Sequence, residues 1–305
     1  MPRTEPLPAG LQERPFVLTD PCARGLSRSR LRAGDLASPS RSIRIPAGAV
    51  GDERGLAEAV LALTPNAWLS HQTAARLYGL TLPAGLAADP RIHVSRPQRR
   101  NPPQRRGVCG HVGRIDLQAE VGDLDGLPIT RPSRTWFDLL STLTLQQAVV
   151  IGDQLIRTPR PGLEDREQPW CTIDDLAEVI SRNDCRPGIR LGREALPLIR
   201  VGSDSPPETL LRLAIVAAGL PEPELQIPLL PGVAGSPEGD LGYRNRKLVM
   251  QYEGQHHLHR QQQTSDIRRD QLWQDAGWQV LRCDVADLRQ GFVRPLQWVR
   301  MRLAA

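Results

Sequence analysis

The chain has 305 residues, 40% of them hydrophobic and only 4% aromatic, which fits two or three domains with mainly aliphatic cores. Its 39 basic and 34 acidic residues leave a net charge of +5, which permits a polyanionic partner without demanding one. All basic residues except Lys247 are arginines. Arginine binds phosphates and guanine edges in bidentate fashion, which favours a nucleic-acid partner, although a GC-rich genome would produce the same composition.

The cysteines and the hydropathy pattern indicate a cellular compartment. The five cysteines are widely spread and form no CxxC pair, a pattern typical of a reduced chain and not of a zinc site or a disulfide framework. Neither a signal peptide nor a membrane span is evident from the apolar stretches. We therefore expect a soluble, cytoplasmic protein without a membrane partner.

Residues 1–48 predict a winged helix-turn-helix. Asp20 can cap one short helix, and Ser27 can cap a second after a turn at Gly25. Residues 42–45 alternate as a short strand would. In such a domain the second helix enters the major groove, and the arginines that we expect on it are the candidate DNA contacts Arg28, Arg30 and Arg32. A small helical adaptor with solvated arginines remains the alternative.

Residues 49–160 predict a middle α/β domain, and residues 161–204 a connector rich in Pro, Gly and charge. The patterns predict a helix, a strand and two helices over residues 70–79, 91–95, 133–140 and 145–156. His71 and His93 lie on these elements without partners at ligand spacing, so we interpret both as structural.

Three motifs in these first segments carry a family resemblance. They are Gly-Leu-Ser-Arg at 25–28 with Asp35-Leu36, Ser-His-Gln-Thr-Ala-Ala at 70–75, and Gly-Leu-Pro-Ile-Thr-Arg-Pro-Ser-Arg-Thr at 126–135. In this arrangement the chain resembles the AbiEi family of antitoxins. The resemblance implies an N-terminal winged helix that binds operator DNA, and a cognate toxin or defence-system partner.

Residues 205–305 predict a compact α/β domain. Its first helix begins at Ser205, with Glu208 at the capping-box position, and ends at Gly219. Three strands, a helix and a strand follow over residues 225–230, 239–243, 247–253, 265–276 and 277–283. Helix, strands, helix and strand form a small α/β layer.

Asp240 and Glu253 are the candidate metal ligands of this domain, because a hairpin would bring the ends of their strands together. Two close carboxylates repel unless a divalent cation lies between them, and Mg²⁺ or Mn²⁺ held in this way is the usual means of phosphodiester cleavage. Glu208 could add a third carboxylate, although capping its own helix is a sufficient role. His257 could serve as general acid or base, and Arg269 could hold a phosphate or form a surface ion pair.

A second resemblance rests on Gln-Tyr-Glu-Gly-Gln-His-His at 251–257, Asp266, Arg269, and Gly-Trp-Gln-Val-Leu-Arg at 277–282. This ordered set resembles uncharacterised bacterial domains related to the very-short-patch-repair (Vsr) endonucleases, within the restriction-endonuclease-like superfamily. It implies that Asp240, Glu253 and His257 occupy the family's site positions.

The sequence departs from these relatives in three ways. Gln251 stands where they have an acidic residue; it can ligate through its carbonyl but adds no charge, so that Mg²⁺ affinity should fall. Glu253 replaces an aspartate. The catalytic lysine of the superfamily is also missing, since Lys247 lies too early on its strand.

Two hypotheses follow for a multi-domain α/β (α+β) chain. The first is an Mg²⁺-dependent DNA endonuclease that its winged helix delivers to DNA. The second is a catalytically degenerate DNA-binding regulator of antitoxin type. An RNA-binding or protein-interaction module is a third class, which only the basic charge supports.

Overall fold

The computed structural model describes residues 5–98, 100–160, 162, 164–233, 235–253 and 260–304, with backbone alone over 260–267. It divides into two compact units, Met1–Thr142 with Val179–Ile189 (unit 1) and Leu143–Glu178 with Arg190–Ala305 (unit 2). Three β-sheets and helices throughout confirm a mixed α/β chain with more than one compact unit. The predicted boundaries at residues 48, 160 and 204 remain predictions. No helix within the described ranges combines the length and the apolar character needed to cross a membrane.

The N-terminal part of unit 1 contains a small antiparallel sheet of three strands in the order β1-β3-β2. These strands are β1 (Phe16–Val17), β2 (Leu36–Ala37) and β3 (Ile43–Pro46). β3 confirms the strand predicted at 42–45. Each of the two predicted helices is instead a single 3-10 turn, at Pro21–Ala23 and Arg30–Arg32.

The predicted caps of these helices form although the helices do not. Asp20 accepts a hydrogen bond from the Cys22 amide (2.9 Å), and Ser27 Oγ accepts one from the Arg30 amide (3.1 Å). Gly25, with φ +95°, leaves too few residues on either side to offset the cost of starting an α-helix. Residues 5–48, as described, therefore offer no recognition helix.

Arg30 differs from its two neighbouring arginines. Its side chain is buried and forms a bidentate ion pair with Asp35, at 2.8 and 2.9 Å. Because both ends of the guanidinium fork are engaged, the prediction that Arg30 contacts DNA is corrected to a structural role. Arg28 and Arg32 are exposed.

The rest of unit 1 is a five-stranded sheet in the order β6-β5-β4-β8-β7. Its strands are β4 (Trp68–Leu69), β5 (Ile92–Pro97), β6 (Val108–Gly113), β7 (Val121–Leu124) and β8 (Leu127–Thr130). The helices are α1 (Glu53–Ala62), α2 (His71–Leu77), α3 (Ala84–Ala87), α4 (Leu117–Glu120) and α5 (Pro132–Leu139). α2, α5 and β5 confirm the elements predicted there. β5 and β6 pair in parallel, whereas β5 and β4 are antiparallel.

The chain then continues through α6 (Leu145–Ile156), α7 (Ile173–Arg182) and α8 (Ile189–Ala195). Unit 2 is completed by α9 (Pro206–Ala217), β9 (Glu224–Pro228), β10 (Glu238–Tyr243), β11 (Leu248–Tyr252), α10 (Arg260–Asp275), β12 (Gln279–Cys283), α11 (Val285–Arg289) and α12 (Val293–Ala304). The sheet order is β12-β11-β10-β9, and only β11 and β12 are parallel. The helix-strands-helix-strand order predicted from residue 205 is confirmed.

Alternating residues of this sheet supply two apolar cores. On one face Leu241, Met250 and Leu281 pack with Leu211 of α9 and Val299 of α12. Further residues, namely Ile227, Val249, Trp273 and Trp278, form a second core. The two tryptophan rings meet edge to face, with centroids 4.7 Å apart.

A buried ion pair attaches α6 to α9. Asp153 and Arg212 are each 1% exposed and lie 2.9 Å apart. The remaining capacity of the Asp153 carboxylate is taken by Thr209 Oγ1 (2.8 Å) and the Arg200 amide (2.7 Å), while Arg212 also pairs with Glu222 (3.0 Å). Such a pair is stable only while both charges are present. α6 is therefore a structural part of unit 2.

We expect Arg212→Met to lower the free energy of unfolding by about 3–5 kcal/mol, because it leaves the Asp153 carboxylate buried without a counter-charge. Arg190→Ala is the matched control, since Arg190 is 94% exposed and its loss should change stability by less than about 0.5 kcal/mol. Denaturant titration measures both. Equal effects of the two substitutions would contradict a structural role for the pair.

Candidate functional site

Asp240 lies where β10 departs from regular pairing. Gly239 pairs with Ile227 and Leu241 pairs with Leu225, and the intervening Gln226 of β9 has φ +46°, a left-handed conformation that is rare outside glycine. The Asp240 carboxylate accepts a hydrogen bond from the Tyr252 amide at 2.6 Å. The side chain is thereby directed to the end of β11.

Glu208 brings a second carboxylate to the same end of unit 2. It is buried, and it accepts hydrogen bonds from the Asp204 amide (2.8 Å) and from Ser205 Oγ (2.6 Å). These bonds fix the beginning of α9, as the capping signal predicts. Electrostatics nevertheless connect Glu208 to Asp240, because the negative charge of Asp240 acts on the Glu208 carboxyl.

The pKa values of the Glu208 and Asp240 carboxyl groups show this connection. Burial, followed by the negative charge of Asp240, raises the pKa of Glu208 to about 7. Burial also raises the pKa of Asp240 to about 6, with the Tyr252 amide and the positive charge of Arg160 opposing that rise. Poorly hydrated carboxylates of this kind are the groups that a divalent cation stabilises.

Arg160 is a cation beside these carboxylates that the sequence did not reveal. Its Nε donates to Asp204 at 2.6 Å, and its charge is felt by Glu208 and Asp240. The side chain is 56% exposed, so it can also reach a ligand in solvent. A lone arginine in a Pro-rich charged stretch carries no periodic signal, which explains why it was not predicted.

The other predicted site residues lie at the same strand ends. Gln251 is 8% exposed, and its Nε2 has no hydrogen-bond partner among the described residues. Glu253 is 47% exposed and forms an ion pair with Arg282, which also binds Asp270. Arg269 is exposed, and its charge lowers the pKa of Asp240.

The predicted site residue His257 lies outside the described residues. Lys247 donates its Nζ to the Ala276 carbonyl at 3.0 Å, just after α10. Glu208 and Asp240 are thus the carboxylates that the structure connects, while Glu253 is held by Arg282.

A second cluster lies in unit 1, where β5 and β6 place three ligand-type side chains together. His93 pairs in register with Cys109, and His111 lies two residues further along β6. His93 Nδ1 is 3.0 Å from His111 Nε2, and the ring of His111 stacks on that of His71 with centroids 3.6 Å apart. The expectation that His93 has no partner at ligand spacing is wrong, because strand pairing joins positions distant in sequence.

The surroundings of this cluster keep its histidines neutral. Burial, then neighbouring positive charge, lowers the pKa of both His71 and His111 to about 3. The backbone of His71 adopts φ +50° at the start of α2, a strained conformation typical of functional sites. A cleft of about 430 Å³ opens beside the cluster, lined among others by Trp68, His71, His111, Arg134 and Asp138.

Comparison with known proteins gives relatives without an assigned activity. The chain is 26% identical over 219 residues to "Uncharacterized protein Rv2248" of Mycobacterium tuberculosis (strain ATCC 25618 / H37Rv), covering 72% of this chain and 74% of that protein. The same values hold for "Uncharacterized protein MT2308" of M. tuberculosis (strain CDC 1551 / Oshkosh). No protein-family model matches the chain, and no solved structure does.

The raised pKa values of Glu208 and Asp240 predict a specific pH dependence. Since a carboxyl with a raised pKa binds its proton more tightly when folded, the stability it contributes is present below its unfolded pKa and is lost as pH rises through about 6 to 7. In a chelator, the melting temperature should therefore fall more between about pH 5 and pH 8 for the natural chain than for Glu208→Gln. Glu238→Gln, at an exposed position, is the control and should keep the natural slope. A natural slope in Glu208→Gln would contradict the assignment.

Proposed function

We propose that unit 2 is a metal-dependent DNA endonuclease domain of the restriction-endonuclease-like type. Its α9-to-β12 order supports this proposal, and so does the convergence of acidic groups at one end of the sheet. The observation that carries the proposal is the pair of poorly hydrated carboxylates, Glu208 and Asp240, whose pKa values are both raised. Structural acidic groups are normally neutralised by a protein cation, and this pair is neutralised only in part.

The donor set fits Mg²⁺ or Mn²⁺. Asp240 and Glu208 supply hard anionic oxygens, and Gln251 could supply a neutral one. The unpartnered Nε2 of Gln251 becomes a carbonyl oxygen if the amide is turned over, an assignment that hydrogen bonding alone decides. When bound, the cation would neutralise phosphate charge and promote attack by water.

Other residues of the chain would position DNA at this end of unit 2. Arg160 and Arg269 are exposed, and both influence the pKa of Asp240, so each could contact a phosphate near the carboxylates. Glu253 could join the ligands only if it left Arg282. His257 remains the proposed general base or acid, on the sequence resemblance alone. In unit 1 the exposed Arg28 and Arg32 remain the proposed DNA contacts.

The second candidate is a DNA-binding regulator of AbiEi antitoxin type, with a toxin or defence-system partner and a degenerate nuclease domain. Two observations favour it. Gln251 adds no negative charge to the site, and Arg282 holds Glu253. In this case the α/β layer of unit 2 would keep its fold while its metal affinity falls.

One assay separates the candidates. The full chain, incubated with supercoiled plasmid and Mg²⁺ or Mn²⁺, should nick or linearise it, and Asp240→Asn should reduce the rate by about 100-fold or more, since even outer-sphere partners of a metal contribute about 10–100-fold. Glu238→Gln, on the same strand but exposed, should cleave normally. A mobility shift of DNA without cleavage would support the regulator, whereas neither shift nor cleavage would refute both.

Gln251→Glu tests the proposed ligand role of residue 251 by adding a carboxylate to the site instead of removing one. The added carboxylate should lower stability in a chelator, because a further negative charge is buried beside Asp240, and it should increase the rise in melting temperature that Mg²⁺ causes. Gln274→Glu, at an exposed position of α10, should change neither quantity. An equal Mg²⁺ response in the natural chain and Gln251→Glu would remove residue 251 from the site.

A further inference from the structure

The histidine and cysteine cluster of unit 1 has the geometry of a metal site of a different kind from the carboxylate site. The ligand atoms of His93, Cys109 and His111 all lie within 4.8 Å of one another. His93 and Cys109 face each other across the parallel strands β5 and β6, and His111 lies on the same side of β6 as Cys109. The sheet backbone itself therefore fixes the spacing of the three side chains.

The distance between the two imidazole nitrogens is close to that which tetrahedral coordination requires, and the Cys109 sulfur lies within 4.8 Å of both. Metal–nitrogen bonds of about 2.0–2.1 Å at a tetrahedral angle place two nitrogens about 3.3 Å apart, and a nitrogen and a thiolate sulfur about 3.6 Å apart. His93 Nδ1 and His111 Nε2 are 3.0 Å apart. Two ring nitrogens at this distance must share a proton or a cation, because their lone pairs would otherwise repel.

The groups around His93 decide which nitrogen is available. The Asp89 carboxylate lies 3.2 Å from His93 Nε2 and accepts a hydrogen bond from it. Arg91 forms an ion pair with the same carboxylate at 2.6 Å. With the proton on Nε2, the lone pair of Nδ1 points toward His111 and Cys109. A carboxylate that orients a ligand histidine in this way is the usual outer sphere of a protein metal site.

The cluster also has access for a ligand. His93 is buried, whereas Cys109 and His111 are half-buried, and His111 lines the cleft of about 430 Å³. Three protein ligands with an open position are typical of zinc sites that bind a water or a substrate. Two imidazoles and a thiolate select a borderline or soft metal such as Zn²⁺ and not Mg²⁺.

We propose that His93, Cys109 and His111 bind one Zn²⁺ ion, or a transition metal ion of similar preference, with an exchangeable position that faces the cleft. The absence of a CxxC pair does not exclude such a site, because strand register and not sequence spacing brings the ligands together. This site is independent of the proposed nuclease activity.

The test is Co²⁺ titration of the chelator-treated full chain. We expect the d–d absorption of a tetrahedral site and a thiolate-to-cobalt charge-transfer band, both with the intensity of one Co²⁺ per chain, and competition by Zn²⁺. Co²⁺ at the carboxylate site of unit 2 would give no thiolate band. Cys109→Ser should abolish the charge-transfer band, and Asp89→Asn should weaken binding by about 10–100-fold without removing a ligand. Asp89→Asn also keeps the test valid if a ligand variant fails to fold.

Two controls exclude other sources of binding. Cys22→Ser removes an exposed thiol of the same unit and should leave the titration unchanged. A triple substitution to alanine of His256, His257 and His259, which lie outside the described residues, removes the remaining histidines and should also leave it unchanged. No thiolate band in the natural chain, or a band that survives Cys109→Ser, would overturn the proposal. So would loss of binding in the triple variant.

Discussion

The Asp153–Arg212 ion pair is the constraint on which the arrangement of unit 2 depends. A fully buried guanidinium is stable only opposite a carboxylate that shares its hydrogen bonds, so α6 and α9 must stay together. α9 also carries Glu208, one turn before Arg212, and the core residues Leu211 and Ile215. The helix that the ion pair fixes is therefore the helix that presents Glu208 toward Asp240. The same helix, α9, therefore contributes both to the stability of unit 2 and to the candidate site. A substitution of Asp153 or Arg212 would disturb Glu208 through this helix.

A buried charge is unfavourable unless an opposite charge lies beside it, and the two candidate sites meet this requirement in different ways. In unit 2 the compensation is incomplete: burial raises the pKa values of Glu208 and Asp240, the charge of Asp240 raises the pKa of Glu208 further, and Arg160 opposes the rise at Asp240 only in part. In unit 1 the imidazole rings are uncharged, because burial lowers the pKa values of His71 and His111. Oxygen anions that lack a counter-ion suit a hard cation, and neutral imidazoles beside a thiol suit a softer one. The two sites therefore differ in the metal they would select.

Signals within a few residues of sequence predicted the features that local interactions determine. They did not predict contacts between residues that are distant in the sequence. Ser205 and Glu208 predicted the start of α9 because helix capping acts within a single turn. The caps at Asp20 and Ser27 were also right, yet only 3-10 turns form there, since Gly25 interrupts the segment. The burial of Arg212 depends on an aspartate 59 residues away. His93, Cys109 and His111 meet through strand register, which depends on the whole sheet. The hairpin of β10 and β11 was predicted because a hairpin is local, and it places Asp240 beside the Tyr252 amide.

Arg282 connects Gln251 with two acidic groups at the ends of the strands. Gln251 pairs in register with Arg282 on the neighbouring parallel strand, and Arg282 binds both Glu253 and Asp270. Arg282 therefore neutralises two acidic groups at this end of the sheet. In the proposed endonuclease, the two carboxylates Glu208 and Asp240 would balance one divalent cation, and a DNA phosphate would need a further positive charge. Arg160 lies beside these carboxylates and is exposed, so under this proposal it could provide that charge.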